Sequence, residues 1–202
     1  KEIADRYQLH RSIMGAFPDD LDEEEERVLF RLDQDARSGD LTLLVQSWNL
    51  PDWSWLAAPN AGDYLRPVSV PNPALKAFKL DLTSGQTLAF RLRANPTARR
   101  RLPDGAKKRV GLQREAEQIE WLERKAARNG FCLLSVRTSH PSNAYGWVYQ
   151  NGKRQRLKFL SVQFDGLLQV QDAERVEQAI RSGIGSGKGF GFGLLSLAPP
   201  RT

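Results

Sequence analysis

TLAFRLRANP, residues 87–96, sets the fold of this chain. Leu88, Phe90 and Leu92 alternate with Arg91 and Arg93, so the stretch reads as a strand with one apolar and one cationic face. A basic loop, TARRRLPDGAKKRVG (97–111), follows it. REAEQIEWLERKAARNG (114–130) then has helical periodicity, with Ala116, Ile119, Leu122 and Ala126 inward and Gly130 as cap. FCLLSVRT (131–138) is a strand. WVYQNGKRQRLKFLSVQF (147–164) reads as a hairpin turning at Asn151-Gly152, and FDGLLQVQD continues the sheet. Asp172 caps a helix over AERVEQAIRSG, and a glycine-rich loop leads into the last strand, GLLSLA. Strand, helix, two strands, helix, strand is the ferredoxin-like order, βαββαβ.

The first half repeats that order in part. In KEIADRYQLHRSIMGAF, Ile3, Tyr7, Met14 and Phe17 fall near one helical stripe, with Leu9 and Ile13 beside it. Asp5 is the expected N-cap, and Pro18 lies past the end. The acidic run DDLDEEEE (19–26) reads as solvated. RVLFRLD and LTLLVQS read as strands joined by the turn DARSGD. PDWSWLAA suggests a short helix, YLRPVSV an edge strand interrupted by Pro67, and PNPALKAFKLDLTSGQ a linker. Helix, strand, strand, helix, strand is the same order with its first strand missing. The expectation is an α+β chain of tandem ferredoxin-like domains, residues 1–80 and 86–202. The missing strand would be central in its sheet, so residues preceding Lys1 are expected in the native protein.

Composition narrows the function. No apolar run reaches membrane-spanning length and no secretory signal is visible, which points to a cytoplasmic protein without membrane contact. The single cysteine, Cys132, lies in an apolar run and reads as a buried thiol. With one cysteine and two histidines, no structural zinc site is expected. The net charge is +6, unevenly spread. Residues 1–40 hold six basic and twelve acidic side chains, whereas residues 91–109 hold eight basic and one acidic. Charge segregated this way suggests a polyanionic partner for the basic part. Arg91, Arg93, Arg99, Arg100, Arg101, Lys107, Lys108 and Arg109 cluster on one strand and its following loop. Lys153, Arg154, Arg156 and Lys158 lie on and after the hairpin turn. Such groups neutralise phosphates, and a projecting basic hairpin with a basic loop suits a structured RNA better than a small ligand.

The loop GIGSGKGFGFGLLSLAP (183–199) contains a GK pair, Gly187-Lys188, but is not a nucleotide-binding P-loop. Ser182 stands where that motif needs its first glycine, and Gly189 stands where it needs a hydroxyl. The segment also runs from helix to strand instead of strand to helix. Its glycines permit positive φ and close backbone approach, and Lys188 could act as a counter-charge to a polyanion. Tyr7 and His10, at i and i+3, share a face of the first helix. Imidazole moves protons near neutral pH, and a neighbouring phenol can hydrogen-bond a reacting hydroxyl. On spacing alone the pair also reads as a partly buried histidine beside a core tyrosine. His140, before Pro141 in a polar loop, reads as a surface residue. No carboxylate cluster has metal-ligand spacing, and no serine-nucleophile or dinucleotide-binding motif is present.

RYQLHRSI, QTLAFRLRANP, EAEQIEWLERK, VQFDGLLQVQD and GIGSGKGFGFGLLSLAP together resemble the CasE-type CRISPR endoribonucleases, RAMP-superfamily subunits of type I-E Cascade that process precursor crRNA. The pieces run along nearly the whole chain. The resemblance implies two ferredoxin-like domains and metal-independent cleavage, without a cofactor, at the 3′ base of a repeat RNA stem-loop. The ribose 2′-OH would attack the adjacent phosphate, leaving a 2′,3′-cyclic phosphate or 3′-phosphate. The family's Y-x-x-H motif matches Tyr7 and His10, so His10 would act as general acid or base and Tyr7 would orient the 2′-OH. The glycine-rich loop with Gly187 and Lys188 would approach the RNA. Arg11, Lys158 and Lys188 are the candidate cations for the transition state. The implied partners are the crRNA stem-loop and other Cascade subunits, including the one that binds the crRNA backbone. A hairpin-binding subunit that does not cut would use the same basic surface, and a small-ligand domain fits the charge distribution less well.

Overall fold

The computed structural model describes residues 5–21, 27–35, 37–57, 71–101, 105–150 and 152–200. Its centre is the strand foreseen at TLAFRLRANP, β3 (Thr87–Ala94), where Leu88, Phe90, Leu92 and Ala94 are buried. The later elements are β4 (Thr97–Arg101), β5 (Lys107–Gly111), α2 (Glu115–Arg128), β6 (Phe131–Thr138), β7 (Ser142–Gln150), β8 (Lys153–Val170), α3 (Ala173–Ser182) and β9 (Leu195–Ala198). The main sheet runs β6-β8-β3-β9, with every pairing antiparallel. β8 therefore lies between β3 and β6, which α2 connects, and β3 lies between β8 and β9, which α3 connects. Two interleaved split βαβ units of this kind are the ferredoxin-like fold.

One apolar core joins the buried side of β3 and β8 to both helices. Phe164, Leu168 and Val170 meet Leu122 and Ala126 of α2 and Val176, Ala179 and Ile180 of α3. The buried stripe of α2 is not the expected one. Gln118, Trp121, Leu122 and Ala126 face inward, whereas Ala116 is exposed and Ile119 half-buried. Two contacts turn the helix this way. The Gln118 amide donates to the carbonyls of Leu112 (2.9 Å) and Gln113 (3.3 Å), and Trp121 stacks on Phe164. A buried polar group keeps such a position only when its hydrogen bonds are made. On β6 a bulge between Leu133 and Ser135 breaks the alternation, so Leu134 is exposed; Cys132, expected in the interior, is half-buried.

β8 is 18 residues long and serves two sheets. Its second half lies in the main sheet, and its first half pairs with β7 from Ser142↔Ser161 to Gln150↔Lys153. The expected hairpin is therefore a long ribbon. Its turn residue Asn151 lies outside the described residues. The segment 97–111, expected as a loop, forms a second hairpin, β4–β5. Charge hid its strands: in Arg99↔Arg109, Arg100↔Lys108 and Arg101↔Lys107, cation faces cation, and neither face is apolar.

The N-terminal half contributes α1 (Arg6–Met14) and an antiparallel pair, β1 (Leu29–Gln34) and β2 (Leu41–Gln46). Leu9 and Ile13, not the Tyr7–Met14 stripe, form the most buried face of α1, packing with Phe17, Val28 and Phe30. The short helix expected at PDWSWLAA is a single 3₁₀ turn, Ser54–Ala57. The edge strand expected at YLRPVSV, Ile3 and most of the acidic run lie outside the described residues. Together the halves make an α+β chain of tandem ferredoxin-like architecture. The described part of the 71–86 linker has no regular structure.

Candidate active site and nucleic-acid interface

Asp5 caps α1 as expected: its Oδ1 accepts from the backbone N–H of Tyr7 (3.1 Å) and Gln8 (3.3 Å). The same oxygen also accepts from the N–H of Trp147 (3.2 Å), at the open edge of β7. One carboxylate thus pins the helix bearing Tyr7 and His10 to the ribbon bearing the basic hairpin.

The Tyr7 and His10 rings lie 6.4 Å apart, tilted by 47°. His10 stacks on Phe30 of β1, and Tyr7 stacks on Phe190 of the glycine-rich loop. That loop runs from α3 towards β9 and contains a 3₁₀ turn, Lys188–Phe190, preceded by Gly187 in the left-handed region (φ +83°). Phe190 is wedged between Tyr7 and Phe159, 4.3 Å from the latter ring, and is seated over Gly146. A Cβ at Gly146 would come within 2.4 Å of Phe190, so only glycine lets the ribbon pass beneath the ring. A Cβ at Gly189 would stand 3.3 Å from His10 Cδ2 and 3.5 Å from Nε2, so the loop backbone itself forms one wall beside the imidazole. The glycines thus serve close packing against the Tyr-His pair.

A cavity of about 110 Å³ opens there, lined by His10, Met14, Leu21, Arg27, Val28, Lys188 and Gly189. Two cations therefore share a cleft with the imidazole. Burial, with help from Arg27 and Lys125, holds the Lys188 ammonium below the ordinary lysine range. Of the three candidate transition-state cations, Lys188 lines the cleft, whereas Arg11 and Lys158 are exposed and absent from its described lining. Arg27 was not foreseen, because it reads as the first residue of the strand RVLFRLD. Phe190 was not singled out either, although an aromatic residue among glycines is a visible signal.

The remaining predicted RNA-contact residues separate into groups. Arg91 is exposed and Arg93 half-buried, and both are held by acceptors. Arg91 Nε donates to Asp165 (2.6 Å), and Arg93 donates to the Leu32 carbonyl of β1 and to Gln163 Oε1 (2.8 Å). Arg31 of β1, only 4% exposed, joins Asp33 (2.9 Å) to Ser196 of β9 (2.9 Å). This polar strip fastens β1 across the face of the main sheet opposite its helices. Burial holds the Arg93 guanidinium below its usual range, partly offset by Asp33. On the β4–β5 hairpin, Arg100 pairs with Glu117 of α2, while Arg99, Arg101, Lys107, Lys108 and Arg109 line the ribbon. Lys153, Arg154, Arg156 and Lys158 are exposed on β8. Among the described residues no three His, Cys, Asp or Glu side chains converge as a metal site would require.

Comparison with known proteins agrees with this geometry. A family model described as CRISPR associated protein matches residues 1–199. The chain is similar to the CRISPR-associated endoribonuclease Cse3 of Thermus thermophilus, with 36% identity covering 98% of this chain and 92% of that protein. It is similar to the CRISPR system Cascade subunit CasE of Escherichia coli, with 32% identity covering 96% and 92%. It also superposes on a structure of the CRISPR endoribonuclease Cse3 bound to a 19-nucleotide RNA, with a TM-score of 0.79, 36% identity and coverage of 98% and 92%. A full-length family match, two relatives above 30% identity and the Tyr-His helix packed on the glycine-rich turn lead to one conclusion: this chain belongs to the CasE-type family of CRISPR-associated endoribonucleases.

Proposed function

We propose that the chain binds the stem-loop of CRISPR repeat RNA and cuts at the 3′ base of the stem, then stays on the product as a cytoplasmic Cascade subunit. The two ferredoxin-like halves, residues 1–80 and 86–202, hold the RNA between them. The observation that carries this reading is the cleft shared by His10, Lys188 and Arg27, with Tyr7 one helical turn from His10 and the basic β7–β8 ribbon bound to the same helix through Asp5. The printed names of the relatives, an endoribonuclease and a Cascade subunit, support it.

The chemistry follows from what these side chains can do. The 2′-oxygen loses its proton and bonds to phosphorus, the bond from phosphorus to the 5′-oxygen breaks, and that oxygen gains a proton. The products are a 2′,3′-cyclic phosphate and a 5′-hydroxyl. His10 carries one of the two protons, and Tyr7 orients the 2′-OH. Lys188, with Arg27 in the same cleft, offsets the charge that develops on the phosphate oxygens. The low-polarity walls of Phe30 and Phe190 hold the two reacting side chains in place and strengthen those charge interactions.

The test is cleavage of the cognate repeat hairpin in excess EDTA by the intact protein and by His10→Ala, with binding followed in parallel. Loss of a positioned proton carrier lowers the rate by about 10²–10⁴-fold, and His10→Ala should still bind. An intact protein that binds the hairpin without cutting it would instead be a hairpin-holding subunit.

A further inference from the structure

The cleft beside His10 has a wall that proton transfer and phosphate charge do not account for. Met14, Leu21 and Val28 line it together with Lys188 and Arg27. Met14 stands four residues after His10 on α1, so the two side chains share a face about one 5.4 Å turn apart. Met14 and Leu21 are half-buried: each packs against the N-terminal apolar cluster and also borders the cavity. An apolar wall left open to water is costly unless an apolar group covers it. The two cations at the same cavity call for an anionic one. A nucleotide is both, with apolar faces on its base and charge on its phosphate. The cavity measures about 110 Å³, against about 150 Å³ for a site that encloses benzene. It therefore has room for the ring of one base, with ribose and phosphate outside.

We propose that Met14, Leu21 and Val28 form a subsite for a single nucleobase, that of the unpaired nucleotide immediately 3′ of the cut. The inference rests on the cleavage reading above and assigns the apolar wall of the same cleft. A cut at the 3′ base of the stem leaves the base on its 5′ side paired, so only the one on the 3′ side is free to be splayed out. That nucleotide carries the 5′-oxygen that departs from phosphorus. Seating its base over Met14 places this oxygen near the imidazole one turn away and aligns it for in-line departure. A thioether suits the position, because sulfur is favourable against aromatic rings and an unbranched chain adapts to a pyrimidine or a purine. The subsite acts on the rate of cleavage and not on the grip on the stem-loop product, from which the 3′ nucleotide has left.

The experiment measures single-turnover cleavage by saturating protein on two RNAs, the cognate hairpin and the same hairpin with an abasic ribose immediately 3′ of the cut. Intact protein is compared with Met14→Ala and with Met14→Leu, which conserves volume. Intact protein should cut the abasic RNA about tenfold more slowly. Met14→Ala should lose a similar factor on the cognate RNA and little more on the abasic one, because both changes remove the same contact. Met14→Leu should keep most of the rate, and both variants should hold the cleaved stem-loop as tightly as intact protein. Equal rates of intact protein on the two RNAs would overturn the proposal without recourse to any variant. So would Met14→Ala losses that multiply with the abasic loss, or a weakened grip on the cleaved stem-loop, since either would make Met14 a support of α1 alone. A protein that cut neither RNA would refute the cleavage reading first, and this inference with it.

Discussion

His10 shows how much a single residue owes to its neighbours. A helix supplies the i, i+3 relation to Tyr7, but Phe30 and the Gly189 backbone fix where the imidazole stands. Lys188 contributes charge at a cost. Its ammonium is held below the ordinary range by burial and nearby cations, so the folded chain holds that proton less tightly than the unfolded chain. The penalty is therefore complete at neutral pH and fades as the pH climbs from the depressed value to the ordinary lysine range. Lys188→Met should melt at a higher temperature than the intact protein near neutral pH, with the gap closing in alkali. Melting curves across that range check it, and a gap independent of pH would show that the charge carries no penalty. The same substitution should slow cleavage, since it removes a cation from the cleft.

At the scale of elements, α1 is held as much by the C-terminal half as by its own. Asp5 meets two amides of its own helix and one of β7, and Phe190 reaches Tyr7 from the loop before β9. Asp5→Ala should cost about 1 kcal/mol as a lost cap. It should also lower the cleavage rate more than the affinity for the hairpin, because the ribbon remains while the catalytic helix loses its tether. Asp5→Asn, which keeps an acceptor oxygen, should recover most of both. Denaturant titration and single-turnover cleavage separate the two effects. The β4–β5 hairpin poses the opposite case. Its like-charged cross-strand pairs repel, which is tolerable on an exposed ribbon and becomes favourable when a polyanion lies along it.

At the scale of the molecule, a polar strip joins the halves alongside the contact of Phe190 with Tyr7. Two separate apolar clusters form, one around β3, β8 and the C-terminal helices, the other around α1 and β1. Between them run Ser196, Arg31, Asp33, Arg93, Gln163, Asp165 and Arg91. Gln46 adds a bond to the Ile180 carbonyl (2.7 Å), and Arg181 lies 3.7 Å from the Trp48 ring centroid. Directional contacts of this kind set register between the halves, which the cleft requires because His10 and Lys188 come from different halves. Arg31→Met should destabilise the chain by about 1–3 kcal/mol, since it removes the hydrogen bonds to Asp33 and Ser196 and leaves Asp33 with the longer Arg93 contact. Urea unfolding measures this, and a loss below about 1 kcal/mol would show that the strip contributes register without stability.

The sequence by itself determined the ferredoxin-like order of the C-terminal half. Alternation in TLAFRLRANP, the helical period of α2 and the caps Asp5 and Asp172 are local signals, readable from neighbours along the chain. It also determined the Tyr7–His10 pair, because one helical turn places them together. Tertiary structure alone decided the rest. Whether a cation is free or spent depends on which acceptors fold against it: Arg91 and Arg93 read like Arg99 and Arg101 in the sequence, yet β1 and β8 supply acceptors for the first two. The inward face of α2 turned on two carbonyls of the preceding segment and on a ring in β8. Lys188 stands 178 residues after His10 in the chain and beside it in the cleft, a proximity that no local periodicity encodes. Long-range contacts are set by packing the whole chain at once, so they become visible only when the chain is folded.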